Sequence, residues 1–457
     1  MDILKFLFIC LEVVLIFNLL IVVHELGHFL AAKWRGLVVE KFAIWFGKPL
    51  WKKTIGGVEY RLGSIPAGGY VAIPQLAPME ALEGRVETSR DQLPPVKPLD
   101  KIIVAAAGPV FSFGLALLMA CIVWFVGKPQ SEFDGTTIGF VRDGGPAAQA
   151  GLRVGDQILA VDGQPVKHFL SGTDSVKWRI VRSEGDKIDF TVLREGQEIT
   201  LPTGWTKPET SSWRRPALRE VQIGPRLIPG VGFVVRGSLA DQSGFQSGDL
   251  ITGVNGQPIY NLDEIGPFVE ANRGKALAVT VERRGQPVEL SLPLPADGPA
   301  SAPVNFGIEW GRTTLVYPDP ITQVKDAATS IFRMVGALLS PRSDVKAAHF
   351  SGPVGIMRLY YQIFESENGW RLALAFSVLI NVNLALLNLL PFPVLDGGHI
   401  TLAIIEGIRR KPINVRVLEF VQTVCALALI GFMLYLTFYD VGDLMIPKAA
   451  PVAEESK

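Results

Sequence analysis

A long apolar run that ends in ionisable residues constrains this chain more than any other feature. From Phe6-Leu7-Phe8-Ile9 through Leu19-Leu20-Ile21-Val22-Val23 only Glu12 and Asn18 are strongly polar. The run leads into His24-Glu25-Leu26-Gly27-His28, and apolar residues resume at Phe29-Leu30-Ala31-Ala32. A helix of this length spans a bilayer. In an H-E-x-x-H pattern two imidazoles four residues apart share one helix face and bind one Zn²⁺, while the glutamate beside them takes a proton from water at the metal. Burying two histidines and a glutamate at such depth costs several kcal/mol unless something coordinates them. A signal sequence would carry a basic start, a shorter apolar core and a small-residue cleavage site, whereas this chain starts Met1-Asp2-Ile3-Leu4-Lys5. The expectation is a hydrolytic metal site at membrane depth.

The rest of the composition agrees with a membrane protein that carries a substantial soluble part. Of the 457 residues 48% are hydrophobic and 19% charged. Four segments qualify as spans, at about 6–31, 102–126, 372–390 and 418–439. The formal net charge is zero, so neither a nucleic-acid-binding basic excess nor an acidic tail is present. Cys10, Cys121 and Cys425 lie in apolar stretches with no spacing that implies a disulfide framework or a thiolate metal site. The loop between the first two spans holds Lys33, Arg35, Lys41, Lys48, Lys52, Lys53, Arg61 and Lys101, and that between the last two holds Arg409, Arg410, Lys411 and Arg416. The positive-inside rule makes both loops cytoplasmic and puts the termini and the long central segment on the other face.

That central segment contains a repeat. Gly145-Pro146-Ala147-Ala148 through Gly155-Asp156, Val161-Asp162-Gly163-Gln164-Pro165-Val166 recurs at constant offset as Ser238-Leu239-Ala240-Asp241 through Gly248-Asp249, Val254-Asn255-Gly256-Gln257-Pro258-Ile259. Each copy reads as a short helix, a Gly-Asp turn, a strand, and an Asp-Gly or Asn-Gly hairpin turn suited to type I′ geometry. Strands that alternate follow at 189–194 and 278–283. The pattern resembles the bacterial PDZ domain, which implies two α+β modules, at 130–222 and 223–312, able to add a peptide C-terminus to a sheet edge. Gly139-Phe140-Val141 and Gly232-Phe233-Val234 lie where the carboxylate loop and edge strand are expected.

Two histidines leave a catalytic zinc short of a third protein ligand. The best candidate is Asp396, in Asn388-Leu389-Leu390-Pro391-Phe392-Pro393-Val394-Leu395-Asp396-Gly397-Gly398-His399. Here two prolines break an apolar span, and irregular backbone at membrane depth is tolerated only against protein or water.

With the H-E-x-x-H span, the Asn388-to-Gly398 stretch and tandem PDZ-like modules in this order, nearly the whole chain resembles the site-two protease family of M50 zinc metalloproteases, in particular its bacterial tandem-PDZ members. The resemblance implies a polytopic α-helical membrane protein of four transmembrane helices, with a re-entrant β-hairpin at about 57–73 and the two PDZ-like domains. It implies zinc-dependent cleavage, within or near the bacterial inner membrane, of single-span proteins already cut by another protease, such as anti-sigma factors or signal-peptide remnants. It carries metal ligation onto His24, His28 and Asp396, the general base onto Glu25, and substrate contact onto Asn388. The open edge of the 57–73 hairpin, with Gly68 and Gly69 in its Gly-rich turn, would hold an unwound substrate. The modules would act as a size filter or docking site on the periplasmic face, with the active site toward the cytoplasm. No nucleic-acid partner is implied.

The chain departs from the family pattern at Ser112, where an asparagine is common, and at Trp45, where a glycine is frequent. An amphipathic linker with a membrane-surface turn at Ser351-Gly352-Pro353-Val354-Gly355-Ile356 occupies 320–362, and 446–457 reads as a flexible tail. His399 is placed to hydrogen-bond Asp396, while His168 and His349 are not assigned to the metal. A PDZ-bearing receptor or scaffold with a structural zinc is the rival class; it fits less well because Glu25 is intact and structural zinc prefers four closed protein ligands. A zinc transporter would need polar residues across the other spans, which are missing.

Overall fold

The computed structural model describes residues 3–76, 93–131, 135–170, 172–208, 214–226, 229–234, 237–260, 262–295, 307–311, 313–365, 369–411 and 415–444. The chain forms two compact units, Met1–Lys128 with Tyr317–Phe332 and Phe350–Lys457, and Pro129–Val316 with Arg333–His349. The expected tail at 446–457 lies outside the described residues.

The first unit is built from helices α1 (Ile3–Trp34), α2 (Pro98–Val126), α3 (Pro320–Leu339, whose first residues belong here), α4 (Pro353–Glu365), α5 (Gly369–Asn388), α6 (Asp396–Arg409) and α7 (Val415–Leu444). Of these, α1, α2, α5 and α7 are long and apolar enough to cross a membrane. The sequence marks their ends. Helix α1 stops at Gly36, whose φ of 74° only glycine adopts freely, and Leu37 N–H closes back onto Ala32 O at 2.9 Å in a Schellman-type end. Helix α2 begins at Pro98, where a missing N–H costs nothing, and ends before Gly127, at φ 75°. Large apolar side chains of α7, among them Phe420, Leu427, Leu434 and Phe438, are more than half exposed, as befits a face that lipid would cover.

Helix α2 is the hub, packed against α1, α5 and α6. Leu20, Leu115, Met119, Ala120 and Val378 form one buried cluster, and Ala116, Ala327 and Val382 another. Polar groups inside this bundle bond locally: Tyr360 and Ser377 share a 2.8 Å hydrogen bond, and Asn381 donates to Ser377 O at 2.9 Å. The Ser351–Ile356 turn is anchored to α7. Asp440, 2% exposed, accepts the Gly355 N–H at 2.8 Å, and a Cβ on Gly355 would lie 2.6 Å from its carboxylate.

Between α1 and α2 lies a four-stranded sheet of β1 (Lys41–Phe46), β2 (Trp51–Ile55), β3 (Val58–Leu62) and β4 (Ile65–Ala72), in the order β2-β3-β1-β4. This corrects the hairpin expected at 57–73. Strands β3 and β4 are consecutive but not paired, because β1 lies between them, parallel to β3 and antiparallel to β4. The hairpin partner of β3 is β2, through Gly56-Gly57, both at positive φ. The β3–β4 connection crosses the end of β1 so closely that a Cβ on Gly63 would lie 2.2 Å from Phe46 O. What survives of the expectation is the open edge, since β4 ends the sheet and pairs only with β1 among the described residues.

The second unit holds both repeat copies. In the first, Gln157–Val161, Gln164–Pro165, Ile188–Arg194 and Gln197–Thr203 form one sheet, joined by the helix Val176–Arg182. In the second, Leu250–Val254, Gln257–Pro258, Ala276–Arg283 and Gln286–Pro293 repeat the arrangement with the helix Ile265–Ala271. The turns at Asp162-Gly163 and Asn255-Gly256 have positive φ at both residues, as type I′ requires. The Gly-Asp aspartates are structural. Asp156 takes Arg194 in a two-pronged pair at 2.7 Å and the Arg153 N–H; Asp249 does the same with Arg283 and Gln246 N–H. Each copy has its own buried core, around Ile158, Phe190 and Val192 and around Ile251, Leu277 and Val281.

One expected boundary in the copies shifts. Ile223–Pro225 pairs with Ile138–Val141, so the first module extends past 222. The strands expected at the peptide edge, 139–141 and 232–234, are each paired on one side by a later strand, Ile223–Pro225 or Ile308–Trp310. The hydrogen bonds on the other side, to the segment at the Gly-Asp turn, are made by the residues just before them, at 136–138 and 229–231. After α3 the chain is tied to the first module by Asp344, which accepts from Arg219 Nε at 2.9 Å and Lys207 Nζ at 2.7 Å. Burial alone would raise the Asp344 pKa, but these hydrogen bonds hold it below the ordinary aspartate value. His349, for which the sequence offered no partner, meets Pro216 O at 3.0 Å.

Candidate active site

The H-E-x-x-H residues occupy about the sixth and seventh turns of α1, where spacing alone puts His24 and His28 on one face. That face meets α2. His28 Nδ1 donates to Val104 O at 2.8 Å, which fixes the tautomer and leaves Nε2 with a free lone pair. His24 Nδ1 lies 3.0 Å from Ser112 Oγ, which is fully buried. The approach of the two helices depends on glycine twice. A Cβ on Gly27 would lie 2.4 Å from Ala107 O, and one on Gly108 would lie 2.3 Å from His28 Nε2 and 2.8 Å from His24 Nε2.

Asp396 reaches the same point from the far end of the chain. Helix α5 stops at Asn388, the Pro391 and Pro393 segment cannot continue it, and a tight turn with Phe392 N–H on Leu390 O restarts the chain as α6. Gly397 and Gly398 let α6 begin against that turn, since Cβ atoms there would lie 2.2 Å from Leu389 O and 2.0 Å from Phe392 O. Asp396 is the first residue of α6 but does not cap it. Its carboxylate faces the imidazoles, with Oδ2 3.2 Å from His24 Nε2 and Oδ1 3.4 Å from His28 Nε2. The two Nε2 atoms are 3.4 Å apart.

One ligand atom from each of these residues lies within 4.8 Å of the others, and the buried Asp396 Oδ2 has no hydrogen-bond partner. Two imidazoles and a carboxylate, with an orphaned buried carboxylate oxygen among them, fit a catalytic Zn²⁺, which takes three protein groups and keeps one position open.

The cluster lies in a cavity of about 330 Å³ whose lining includes Glu25, Gly69, Asn388, Asp396, His399, Lys101 and Glu406. Asn388 Nδ2 stands 3.5 Å from His24 Nε2. Strand β4 passes beside the base, for a Cβ on Gly69 would lie 3.3 Å from Glu25 Cγ and 3.2 Å from Ile21. Gly68, at φ +72°, is close against the Phe46 ring, so its backbone shape belongs to glycine. His399 lines the cavity but does not hydrogen-bond Asp396.

Sequence reasoning did not find Val104 O; it met Gly108 only within the Ala107–Phe113 stretch that resembles the family's second-span motif, and Ser112 only as a departure from it. Their spacing of four along α2 was available as a signal, though nothing local says which helix they face. Trp45, the other departure, sits at φ 68° in a bulge of β1, where its indole N–H donates to Asn18 Oδ1 of α1. The left-handed backbone explains why a glycine serves at such a position, and the hydrogen bond satisfies one of the two polar interruptions of the first span.

The comparisons agree with this chemistry. The profile of peptidase family M50 matches residues 12–432. The chain is 31% identical to the regulator of sigma-E protease RseP of Escherichia coli K12, over 96% of this chain and 100% of that one. It is 30% identical to the protease RseP of Yersinia pestis, over 93% and 97% of the two chains. A Neisseria meningitidis protein whose name describes a zinc metalloprotease is 29% identical over 93% and 97%. The chain belongs to peptidase family M50, the site-two proteases, and is a zinc-dependent intramembrane metalloprotease.

Proposed function

We propose that the protein cuts single-span proteins of a bacterial inner membrane, with His24, His28 and Asp396 as zinc ligands and Glu25 as general base. The observation that carries this is the convergence of a two-histidine, one-carboxylate set beside an open strand edge within one cavity. When bound there, Zn²⁺ supplies a Lewis acid that acidifies water and polarises the scissile carbonyl. Glu25 takes the proton of the attacking water and delivers it to the leaving amine. A helical substrate hides its carbonyls in intrahelical hydrogen bonds and must unwind before attack. The free edge of β4 offers those groups replacement partners by strand addition, next to Glu25, at the Gly68-Gly69 backbone. The Asn388 amide, beside His24, holds the substrate backbone at the reacting point.

The two repeat modules are PDZ-like domains on the periplasmic face, and the active site opens toward the cytoplasm. This orientation is supported by the Lys and Arg bias of the two short loops. The modules carry no catalytic constellation of their own among the described residues, which supports a role in docking or size selection, so that substrates arrive already shortened by another protease. Anti-sigma factors and signal-peptide remnants have that form.

Glu25→Gln tests the mechanism, since the amide changes little volume and removes the base. The purified variant is expected to hold zinc like the parent while cleavage of a tagged single-span substrate falls by at least about 100-fold, the scale of general-base catalysis. Asp396→Ala should lose both zinc and activity. Cleavage at the parent rate by Glu25→Gln would refute the assignment.

A further inference from the structure

We propose that Lys101 and Glu406 form a positioning clamp that fixes the rotation of α6 and thereby presents Asp396 to the two imidazoles. The proposal rests on the metal-site reading above and adds a pair that takes no part in the chemistry. Lys101 Nζ lies 2.5 Å from Glu406 Oε2, and the two side chains are only 13% and 14% exposed. They are 305 positions apart in sequence.

The pair closes a pattern on two facing helices. On α2, Lys101, Val104, Ala105, Gly108 and Ser112 recur at the three-to-four spacing of one helical stripe; Val104 and Ser112 hold the histidines and Gly108 admits their rings. On α6, Asp396, His399, Ala403 and Glu406 form the answering stripe, and all four line the cavity together with Lys101. At 1.5 Å per residue, Glu406 stands about 15 Å along α6 from Asp396. Neither partner of the pair therefore reaches the reacting atoms.

A buried ion pair is a poor way to stabilise a fold, because desolvating both charges offsets most of their attraction and an apolar pair of equal volume often does better. Its best-attested use is to fix register. Helix α6 needs such a device. It has only 14 residues, and its start is determined by a proline-broken turn rather than by a long preceding helix. Advancing it by one residue would turn Asp396 about 100° away from the histidines. Loose apolar neighbours such as Gly407 and Pro98, where even an added Cβ on the glycine would lie 3.5 Å from Pro98 Cβ, tolerate that kind of slip, whereas a buried charge pair does not.

The experiment measures zinc affinity of the full-length protein in detergent by competition with a chelating dye, alongside cleavage of a single-span substrate. The variants are Lys101→Met, Glu406→Gln and the exchanged pair Lys101→Glu with Glu406→Lys. Each single variant should bind zinc about 10-fold more weakly, the low end for loss of a partner that orients a ligand. Added zinc should restore much of its cleavage, and the exchanged pair should return to within about 3-fold of the parent. Parental zinc affinity in both single variants would overturn the clamp, as would an exchanged pair no better than the worse single. So would zinc-free single variants that melt far below the zinc-free parent, because the pair would then serve the fold. A parent protein that holds no zinc would instead refute the metal-site reading, so the two failures are distinguishable.

Discussion

Ser112 and Val104 decide which nitrogen of each histidine is offered to a metal. The Val104 carbonyl can only accept, so His28 must carry its proton on Nδ1. A hydroxyl can do either, and Ser112 lets His24 match that state while staying fully buried. Ser112→Ala should therefore leave the fold intact and weaken zinc binding about 10-fold, since partners of this kind set ring orientation and basicity. Dye competition would show it, and unchanged affinity would mean that packing alone orients His24. The histidines and Glu25 were legible because one helix carries all three at a spacing that geometry interprets. Asp396 was legible because a carboxylate after a proline break at membrane depth needs a reason to be there. Ser112 was not, for its partner is 88 positions away on another helix and a lone serine in an apolar span has many uses.

At the scale of elements the sheet is the most informative part. Its strands 57–73 were readable from alternation and glycine turns, but the insertion of β1 between β3 and β4 was not, because order in a sheet is a tertiary outcome that strand propensity does not encode. The consequence is that, among the described residues, β4 is paired on one side only, by β1, with its shape held by Gly68. Gly68→Ala places an L residue at φ +72° and drives a methyl group to 2.0 Å from the Phe46 ring, so the edge beside Glu25 must move. The left-handed backbone alone costs about 1–2 kcal/mol. Cleavage should fall by about 10-fold or more at undiminished zinc content, the strain being converted to rate at 1.4 kcal/mol per decade. Gly36→Ala is the control, with φ +74° and no atom within 4 Å of the new methyl group. Equal losses in both variants would show that backbone strain, and not the edge, is responsible.

At the scale of the whole molecule the metal-binding cluster found among the described residues lies wholly in the first unit. In a background without Cys10, Cys121 and Cys425, Ala150→Cys should react with a membrane-impermeant reagent from the outer side and Lys53→Cys should not; the opposite pattern would invert the orientation. Removing about 130–312 should spare cleavage of a short single-span substrate and admit longer ones that the intact enzyme refuses. A well-folded deletion that cuts nothing would give the modules a larger part than selection. The gathering of His24 and His28 with Asp396, 372 positions later (396 − 24), also sets a clock. At about 5–20 residues per second, a ribosome needs roughly 20 to 75 s to travel from the first ligands to the last. Throughout that interval the nascent chain shares the bilayer with uncut neighbours while lacking Asp396, so on the proposed ligand set a newly made chain cannot complete its metal site before position 396 has been added.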